Sequence, residues 1–159
     1  MMKPIPIRWL AGAALACAIL TLPAHAADDD GLPYWASLRV DEVNMRVGPA
    51  EDYRISWVYR RPMLPLKVIR LKEGWRLVRD ADGTEGWMLA RFLSRARGGL
   101  VTGKGLAEMR DAAGGRVMWR VEPGVVGQLG DCEAGWCRFD ASGHVGVIEQ
   151  SRIWGAGEP

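Results

Sequence analysis

The sequence predicts an all-β protein built from two small barrels in tandem. Short apolar segments with a period of two, turn signals between them, and an order of motifs that occurs twice all point to this fold. Val43, Met45 and Val47, for example, alternate with Asn44 and Arg46. No window has a sustained apolar stripe at helical spacing. The 159 residues suit one ordinary domain or two very small ones.

The first 26 residues have the pattern of a removable export signal. Lys3 and Arg8 give a basic start, an uncharged apolar stretch follows, and Ala24 and Ala26 supply the small residues of a cleavage site. We expect cleavage after Ala26, which implies a periplasmic or secreted protein with no membrane span. An uncleaved anchor and lipidation of Cys17 are the two alternatives.

The predicted mature chain carries no net charge. The full sequence has 21 Lys and Arg against 19 Asp and Glu, and two of the basic residues lie in the signal. A neutral chain is a poor candidate for binding nucleic acids or anionic membranes. The charge is unevenly spread, with 13 basic and 8 acidic residues over 39–97 (+5) and 6 basic and 8 acidic over 98–159 (−2).

Five strands and their turns are expected in the first copy. The strands are predicted at residues 40–47, 55–59, 64–71, 75–79 and 84–89. Three dipeptides mark turns around them: Gly48-Pro49, Glu73-Gly74 and Asp82-Gly83. The last of these lies between two apolar runs and predicts a hairpin.

The same order of motifs recurs about 60 residues later. Three pairs of dipeptides correspond: Met45-Arg46 with Met109-Arg110, Gly74-Trp75 with Gly135-Trp136, and Gly86-Trp87 with Gly146-Val147. We place a first domain at 37–94, a linker rich in glycine and alanine at 95–105, and a second domain at 106–154. Units this small favour closed barrels, which leave no open sheet edge.

Two cysteines remain once the signal is removed. Cys132 and Cys137 form an even pair in a compartment that permits disulfides. Gly135 can supply a turn that brings them onto neighbouring strands, within reach of a disulfide bond. A metal site would need two more ligands, and His144 is the only histidine outside the signal. We therefore predict a disulfide bond and no metal.

Three segments of the first copy carry a family resemblance. Residues 43–50, 74–75 and 83–87 resemble the bacterial Src-homology-3-like (SH3-like, SH3b) domain, and residues 122–127 with 135–139 look like a divergent second copy. The whole is similar to the tandem SH3-like proteins that many alphaproteobacteria export. The resemblance implies two SH3-like barrels.

The resemblance also implies a ligand groove on the first copy. The family places a groove tryptophan three residues before a core residue, and Trp75 stands at that distance from Val78. Residues three apart on a strand point to opposite faces, so a buried Val78 directs Trp75 away from the barrel interior. Trp87 and Phe92 match two further groove aromatics. The predicted ligand-binding residues are Arg46, Tyr53, Trp75, Trp87 and Phe92.

The second copy is expected to have a poorer groove. Trp136 precedes Phe139 by three, as in the first copy, but Val147 and Arg152 stand at the positions of the other two groove aromatics. For the aromatics of the first copy, partial burial against loops is the alternative interpretation. Trp57 and Trp119 lie mid-strand at corresponding positions and are expected to be structural.

No group of residues outside the signal suits catalysis. A serine or cysteine nucleophile needs an adjacent base, usually a histidine, and His144 stands alone in a turn-like segment. Residues 98–105 nearly match a phosphate-binding loop, but Gly105 stands where a hydroxyl should hold Mg²⁺. We predict no enzymatic activity and no cofactor.

The resulting hypothesis is a non-catalytic periplasmic binding module. Aromatic and arginine side chains together suit an acidic peptide, so we expect peptidoglycan or an envelope protein or peptide in the first groove. Leu89 replaces the family's groove proline, which disfavours polyproline ligands. The alternative is a structural adaptor of an envelope complex with no small ligand of its own. A cell-wall hydrolase is a third, disfavoured class.

Overall fold

The computed structural model describes residues 31–159, which form two seven-stranded antiparallel sheets and two short 3₁₀ turns. The predicted all-β class, with two small barrels in tandem, is confirmed. The predicted export signal, its cleavage after Ala26 and Cys17 lie outside the described residues. Within residues 31–159, no helix is long and apolar enough to cross a membrane.

Each copy contributes seven strands in the same order. Those of the first copy are β1 Tyr34–Leu38, β2 Val43–Arg46, β3 Ile55–Tyr59, β4 Pro65–Lys72, β5 Trp75–Arg79, β6 Glu85–Leu89 and β7 Leu93–Ser94, with a 3₁₀ turn at Ala90–Phe92. Those of the second are β8 Gly98–Val101, β9 Ala107–Arg110, β10 Val117–Val121, β11 Val126–Glu133, β12 Trp136–Ala141, β13 His144–Glu149 and β14 Ile153–Trp154, with a 3₁₀ turn at Gln150–Arg152.

The two sheets have one topology. The first runs β3-β2-β6-β5-β4-β1-β7 and the second β10-β9-β13-β12-β11-β8-β14, so every strand of the first copy has a counterpart in the same place in the second. β8 is the counterpart of β1. The repeat found in the motifs is therefore a repeat of the whole fold.

The structure differs from the prediction at the linker. Residues 98–101, in the middle of the predicted linker at 95–105, form β8 and pair with both β11 and β14. Gly98 and Gly99 are buried, and a Cβ on Gly98 would overlap the carbonyl oxygen of Met63. Gly98 is required because the backbones approach closely there, whereas Gly99 leaves room for the side chains of Ile153 and Phe139. The first copy likewise starts with β1 at Tyr34, before the predicted boundary at 37.

The predicted disulfide bond between Cys132 and Cys137 is present. The two cysteines face each other across β11 and β12, whose two-residue turn is Ala134-Gly135. Both turn residues have left-handed backbones, with φ of 48° and 81°, as the tightest hairpin turns require.

Each barrel encloses its own apolar core, and the two cores use different side chains at matching positions. Val78 and Phe139 are both fully buried at corresponding places in β5 and β12. The larger Phe139 fits because Gly99 and Gly127 lie against its ring, where the first copy has Ala36 and Leu66. The volume gained at one position is offset at two others.

Trp57 and Trp119, which were expected to be structural, are not part of the cores. Their side chains are 58% and 41% exposed, respectively. They lie on β3 and β10, which end their sheets and pair on one side only. No neighbouring strand covers them, so a position in mid-strand does not bury them.

The two copies pack directly against each other. Trp35 of the first copy and Trp154 of the second meet edge to face with ring centroids 5.0 Å apart, and the Lys67 ammonium lies 5.4 Å from both rings. The indole N–H of Trp35 donates to the carbonyl of Gly157 at 3.0 Å. Gly98 N–H donates to the Ser37 hydroxyl at 2.8 Å. These contacts join the copies through side chains and backbone together.

Gly98→Ala should destabilise the protein by about 1–3 kcal/mol, because the added methyl group enters a packed contact between the copies. Chemical unfolding measures the loss. Gly74→Ala is the matched control, since a Cβ there meets nothing within 4 Å. Equal stabilities for the two variants would mean that residues around Gly98 behave as a loose linker.

Tyr59 closes one end of the first core and has a perturbed hydroxyl. The side chain is buried, and its hydroxyl donates to Asp80 Oδ2 at 2.6 Å. Burial, together with the hydrogen bond and the negative charge of Asp80, raises the pKa of Tyr59 well above its usual value. The folded protein therefore holds this proton more tightly than the unfolded chain does.

The free energy of unfolding should fall as the pH rises above about 10, the pKa of an unfolded tyrosine. Above that pH the unfolded chain loses the Tyr59 proton while the folded chain keeps it, which favours unfolding by up to about 1.4 kcal/mol per pH unit. Urea unfolding between about pH 8 and 11 measures this slope. Tyr59→Phe should remove this part of the slope, and an unchanged slope would contradict the assignment.

Candidate functional site

A cavity of about 300 Å³ lies on the first copy at the end of the β4–β5 hairpin. Its lining residues come from β2, the loops on either side of it, β5, β6 and the 3₁₀ turn: Glu42, Val43, Asn44, Arg46, Glu51, Trp75, Leu89, Arg91 and Phe92. We call it the first groove. Three of the five predicted ligand-binding residues, Arg46, Trp75 and Phe92, meet in it.

Trp75 is the central aromatic of the first groove. It is the first residue of β5, directly after the Glu73-Gly74 turn, and it pairs with Leu89 of β6. Only 9% of its surface is exposed, yet it lies outside the apolar cluster that fills the barrel. Trp75 therefore points to the opposite face from the fully buried Val78, as predicted. Its indole is covered by residues around the first groove and not by the apolar core.

The 3₁₀ turn brings Phe92 and Arg91 to the same place. The Ala90 N–H donates to the carbonyl of Gly74 at 2.8 Å, which ties this turn to the hairpin turn before Trp75. The Arg91 guanidinium lies 4.9 Å from the centre of the Phe92 ring. Two aromatic and two cationic side chains, including Arg46, therefore share one small cavity.

Tyr53 and Trp87 do not line the first groove. Tyr53 is exposed; its ring packs over Gly48, and its carbonyl oxygen accepts a 2.7 Å hydrogen bond from Arg46 Nη1. Trp87 lies beside Arg46 through the β2–β6 pairing and is half-buried. Both residues thus neighbour the arginine and can position it.

The first groove contains carboxylates that no sequence pattern indicated. Glu42 and Glu51 both line it, and Glu42 forms an ion pair with Arg60 at 2.7 Å. If this ion pair is counted as neutral, the first groove has two arginines, Arg46 and Arg91, and one carboxylate, Glu51. The groove therefore carries a net positive charge. Leu89 lines the groove at the position where the resemblance placed the family's groove proline, whereas no comparable sequence signal indicated the carboxylates.

The second copy has a smaller cavity, of about 230 Å³, in the same place. We call it the second groove; its lining is Leu106, Glu108, Arg110, Trp136, Glu149 and Arg152. Trp136 takes the position of Trp75, whereas Val147 does not line the cavity.

The arginines of the second groove are already bound within the protein. Arg110 is ion-paired with Glu108 and also donates to the carbonyl of Gly115 at 2.6 Å. Arg152 donates to the carbonyls of Thr102 and Gly105 at 2.9 and 2.8 Å. The second groove therefore keeps the tryptophan but has less capacity to bind an anion.

His144, considered above as a catalytic base or a metal ligand, lines neither the first groove nor the second groove. Its ring packs edge-on against Trp119 with centroids 4.4 Å apart, and Nδ1 lies 3.2 Å from the carbonyl of Ala141. Among residues 31–159, no group of three or more His, Cys, Asp or Glu side chains is placed to hold a metal ion.

Comparison with known proteins assigns the fold. The family model described as Bacterial SH3 domain matches the chain twice, at residues 39–94 and 104–155. The chain belongs to the bacterial SH3 domain family. The two matches fall on the two barrels, so each barrel is one SH3 domain and the protein is a tandem pair.

Similar solved structures are distant. The chain resembles NlpC1 from Trichomonas vaginalis with 12% identity and a TM-score of 0.34, over 76% of this chain and 45% of that one. NlpC2 from the same organism gives 13% identity and a TM-score of 0.36, over 77% and 48%. The chain thus spans less than half the length of either. Among curated proteins, none matches it.

Proposed function

We propose that this tandem SH3 protein is a non-catalytic binding module of the bacterial cell envelope. In this proposal it is exported to the periplasm or secreted, and the first groove engages peptidoglycan or an envelope protein or peptide. Bacterial SH3 domains are binding modules, often for peptidoglycan, and the predicted signal segment supports export. The observation that carries the proposal is the meeting of Trp75, Phe92 and Arg46 in one cavity. Trp75 lies outside the apolar core, and Phe92 packs against the edge of that core.

The chemistry of the first groove suits a ligand with carboxylates and apolar parts. Arg46 and Arg91 can form charge-assisted hydrogen bonds with a carboxylate, and Trp75 and Phe92 offer apolar surface beside them. Arg46 uses only Nη1 on the carbonyl of Tyr53, so the side chain is held in place while its other nitrogens stay available to a ligand. A peptide stem of peptidoglycan has this combination of groups.

An adaptor function is supported by a separate surface. Four large apolar side chains between residues 47 and 57 are exposed, namely Val47, Tyr53, Ile55 and Trp57. Adjoining exposed apolar residues of this size are typical of protein–protein contacts. In this alternative the protein holds an envelope complex together, and neither groove binds a small ligand.

Trp75→Ala should weaken retention on purified sacculi by about ten-fold or more, the loss typical of an aromatic at a binding hot spot. Trp136→Ala is the matched control; it should weaken retention less, because the arginines beside Trp136 are engaged within the protein. Co-sedimentation with sacculi measures both variants, and circular dichroism checks that each keeps its β structure.

Four outcomes would contradict the proposal. A folded Trp75→Ala variant that still binds like the wild type would remove the first groove from the site. Equal losses for Trp75→Ala and Trp136→Ala would contradict the difference between the grooves. Cross-linking to envelope proteins without any retention on sacculi would favour the adaptor, and clearing in a zymogram would show a hydrolase.

A further inference from the structure

A further cavity, of about 650 Å³, lies between the two SH3 domains. Residues 57–61 and 80–82 of the first domain form one wall, and residues 100–103 of the second form the other. We call it the interdomain cleft. It shares no lining residue with the first groove or the second groove, so it is a separate place on the molecule. Its volume is in the range of sites for small ligands.

The walls of the interdomain cleft are fixed relative to each other. Arg61 Nη1 donates to the carbonyl of Gly124, which joins the first domain to the second within the cleft lining itself. The contacts of Trp35 with Trp154 and of Gly98 with Ser37 hold the same two domains together elsewhere. A cleft that exists before the ligand arrives loses less free energy in ordering itself.

One wall presents an exposed tryptophan. Trp57 is 58% exposed and lines the cleft, while its counterpart Trp119 lies in a different cavity and packs against His144. The flat face of an indole makes close contact with other flat apolar faces, including the C–H face of a sugar ring. Trp57 therefore offers an aromatic surface to the interdomain cleft, which its counterpart does not line.

The charged side chains of the cleft are mostly engaged within the protein. The lining contains Arg60, Arg61, Asp80 and Asp82, two of each sign. Three are already engaged: Arg60 pairs with Glu42, Arg61 binds the carbonyl of the second domain, and Asp80 accepts hydrogen bonds from the Tyr59 hydroxyl and from two backbone N–H groups of its own loop. A charged ligand would gain little here.

Polar groups able to bind hydroxyls remain. Asp82 is exposed at the tip of the β5–β6 hairpin, and Thr102 contributes a hydroxyl from the opposite wall. A carboxylate and a hydroxyl beside an aromatic face match a ligand that is neutral, ring-shaped and rich in hydroxyl groups. A glycan has all three properties, whereas a peptide with charged side chains has none of them.

We propose that the interdomain cleft binds a neutral glycan chain, with Trp57 stacked on a sugar ring and with Asp82 and Thr102 bonded to sugar hydroxyls. The glycan could be the sugar backbone of peptidoglycan or another neutral polysaccharide. This site is additional to the first groove, and the two proposals are independent of each other.

The test is isothermal titration calorimetry of the exported protein with two probes. The first is a set of short N-acetylglucosamine oligomers, and the second is a set of maltose oligomers. Selective binding of the N-acetylglucosamine oligomers would point to an amino-sugar backbone as the ligand. Binding of both sets would point to neutral glycans in general. Trp57→Ala should weaken binding by about ten-fold or more. Asp82→Asn should weaken it by about five-fold, as expected for one hydrogen bond.

Trp119→Ala serves as the matched control. It removes the equivalent exposed tryptophan outside the cleft and should bind the oligomers like the wild type. Because Trp57 is exposed, its removal should leave the fold intact, which circular dichroism and thermal unfolding check.

Several results would overturn the proposal. They are wild-type protein that binds neither set of oligomers, equal losses for Trp57→Ala and Trp119→Ala, or a Trp57→Ala variant that keeps glycan binding but no longer cross-links to an envelope protein. The last result would assign Trp57 to a protein contact. Since Trp75→Ala tests the first groove on sacculi, failure of one site is distinguishable from failure of the other.

Discussion

The close contact at Gly98 fixes the relation between the two SH3 domains. Its N–H binds the Ser37 hydroxyl, and its Cα lies so close to the Met63 carbonyl that any side chain would overlap it. Because Gly98 is also the first residue of β8, the second sheet begins at the surface of the first. The pairing of Trp35 with Trp154 and the cleft between the domains depend on this arrangement.

The duplicated fold has kept its topology while its interior and surface have diverged. Phe139 in place of Val78 is accommodated by Gly99 and Gly127, so both barrels are filled with different sets of side chains. Core positions tolerate such exchanges when the total volume is kept. The two cores are therefore equivalent in architecture although few of their residues are identical.

The grooves show how the same position can serve different chemistry. Trp75 and Trp136 begin equivalent strands and line equivalent cavities. The first groove adds Phe92 and Arg91 from its 3₁₀ turn, whereas the second uses Arg152, from the equivalent turn, to bind backbone carbonyls. An arginine that donates to the protein's own carbonyls has fewer N–H groups left for a ligand. The neighbours of the tryptophan therefore determine what each groove can bind.

The sequence by itself determined the class of the fold, its duplication and the disulfide, because these depend on local pattern. Alternation along a strand gives the face of each residue, turn residues give the hairpins, and Cys132 and Cys137 are brought together by a two-residue turn. For the same reason the burial of Val78 and Phe139 was predictable. The pattern alone does not show which residues cover each face.

Only the tertiary structure decided which residues share a surface. Glycines occur both in flexible linkers and where two backbones touch, so the composition of 95–105 could not reveal strand β8. Strand position did not show that Trp57 is uncovered, since that depends on β3 having a neighbour on one side only. The meeting of Arg46 with Trp75, and the placement of Tyr53 behind the arginine, depend on how separate strands and loops converge in space.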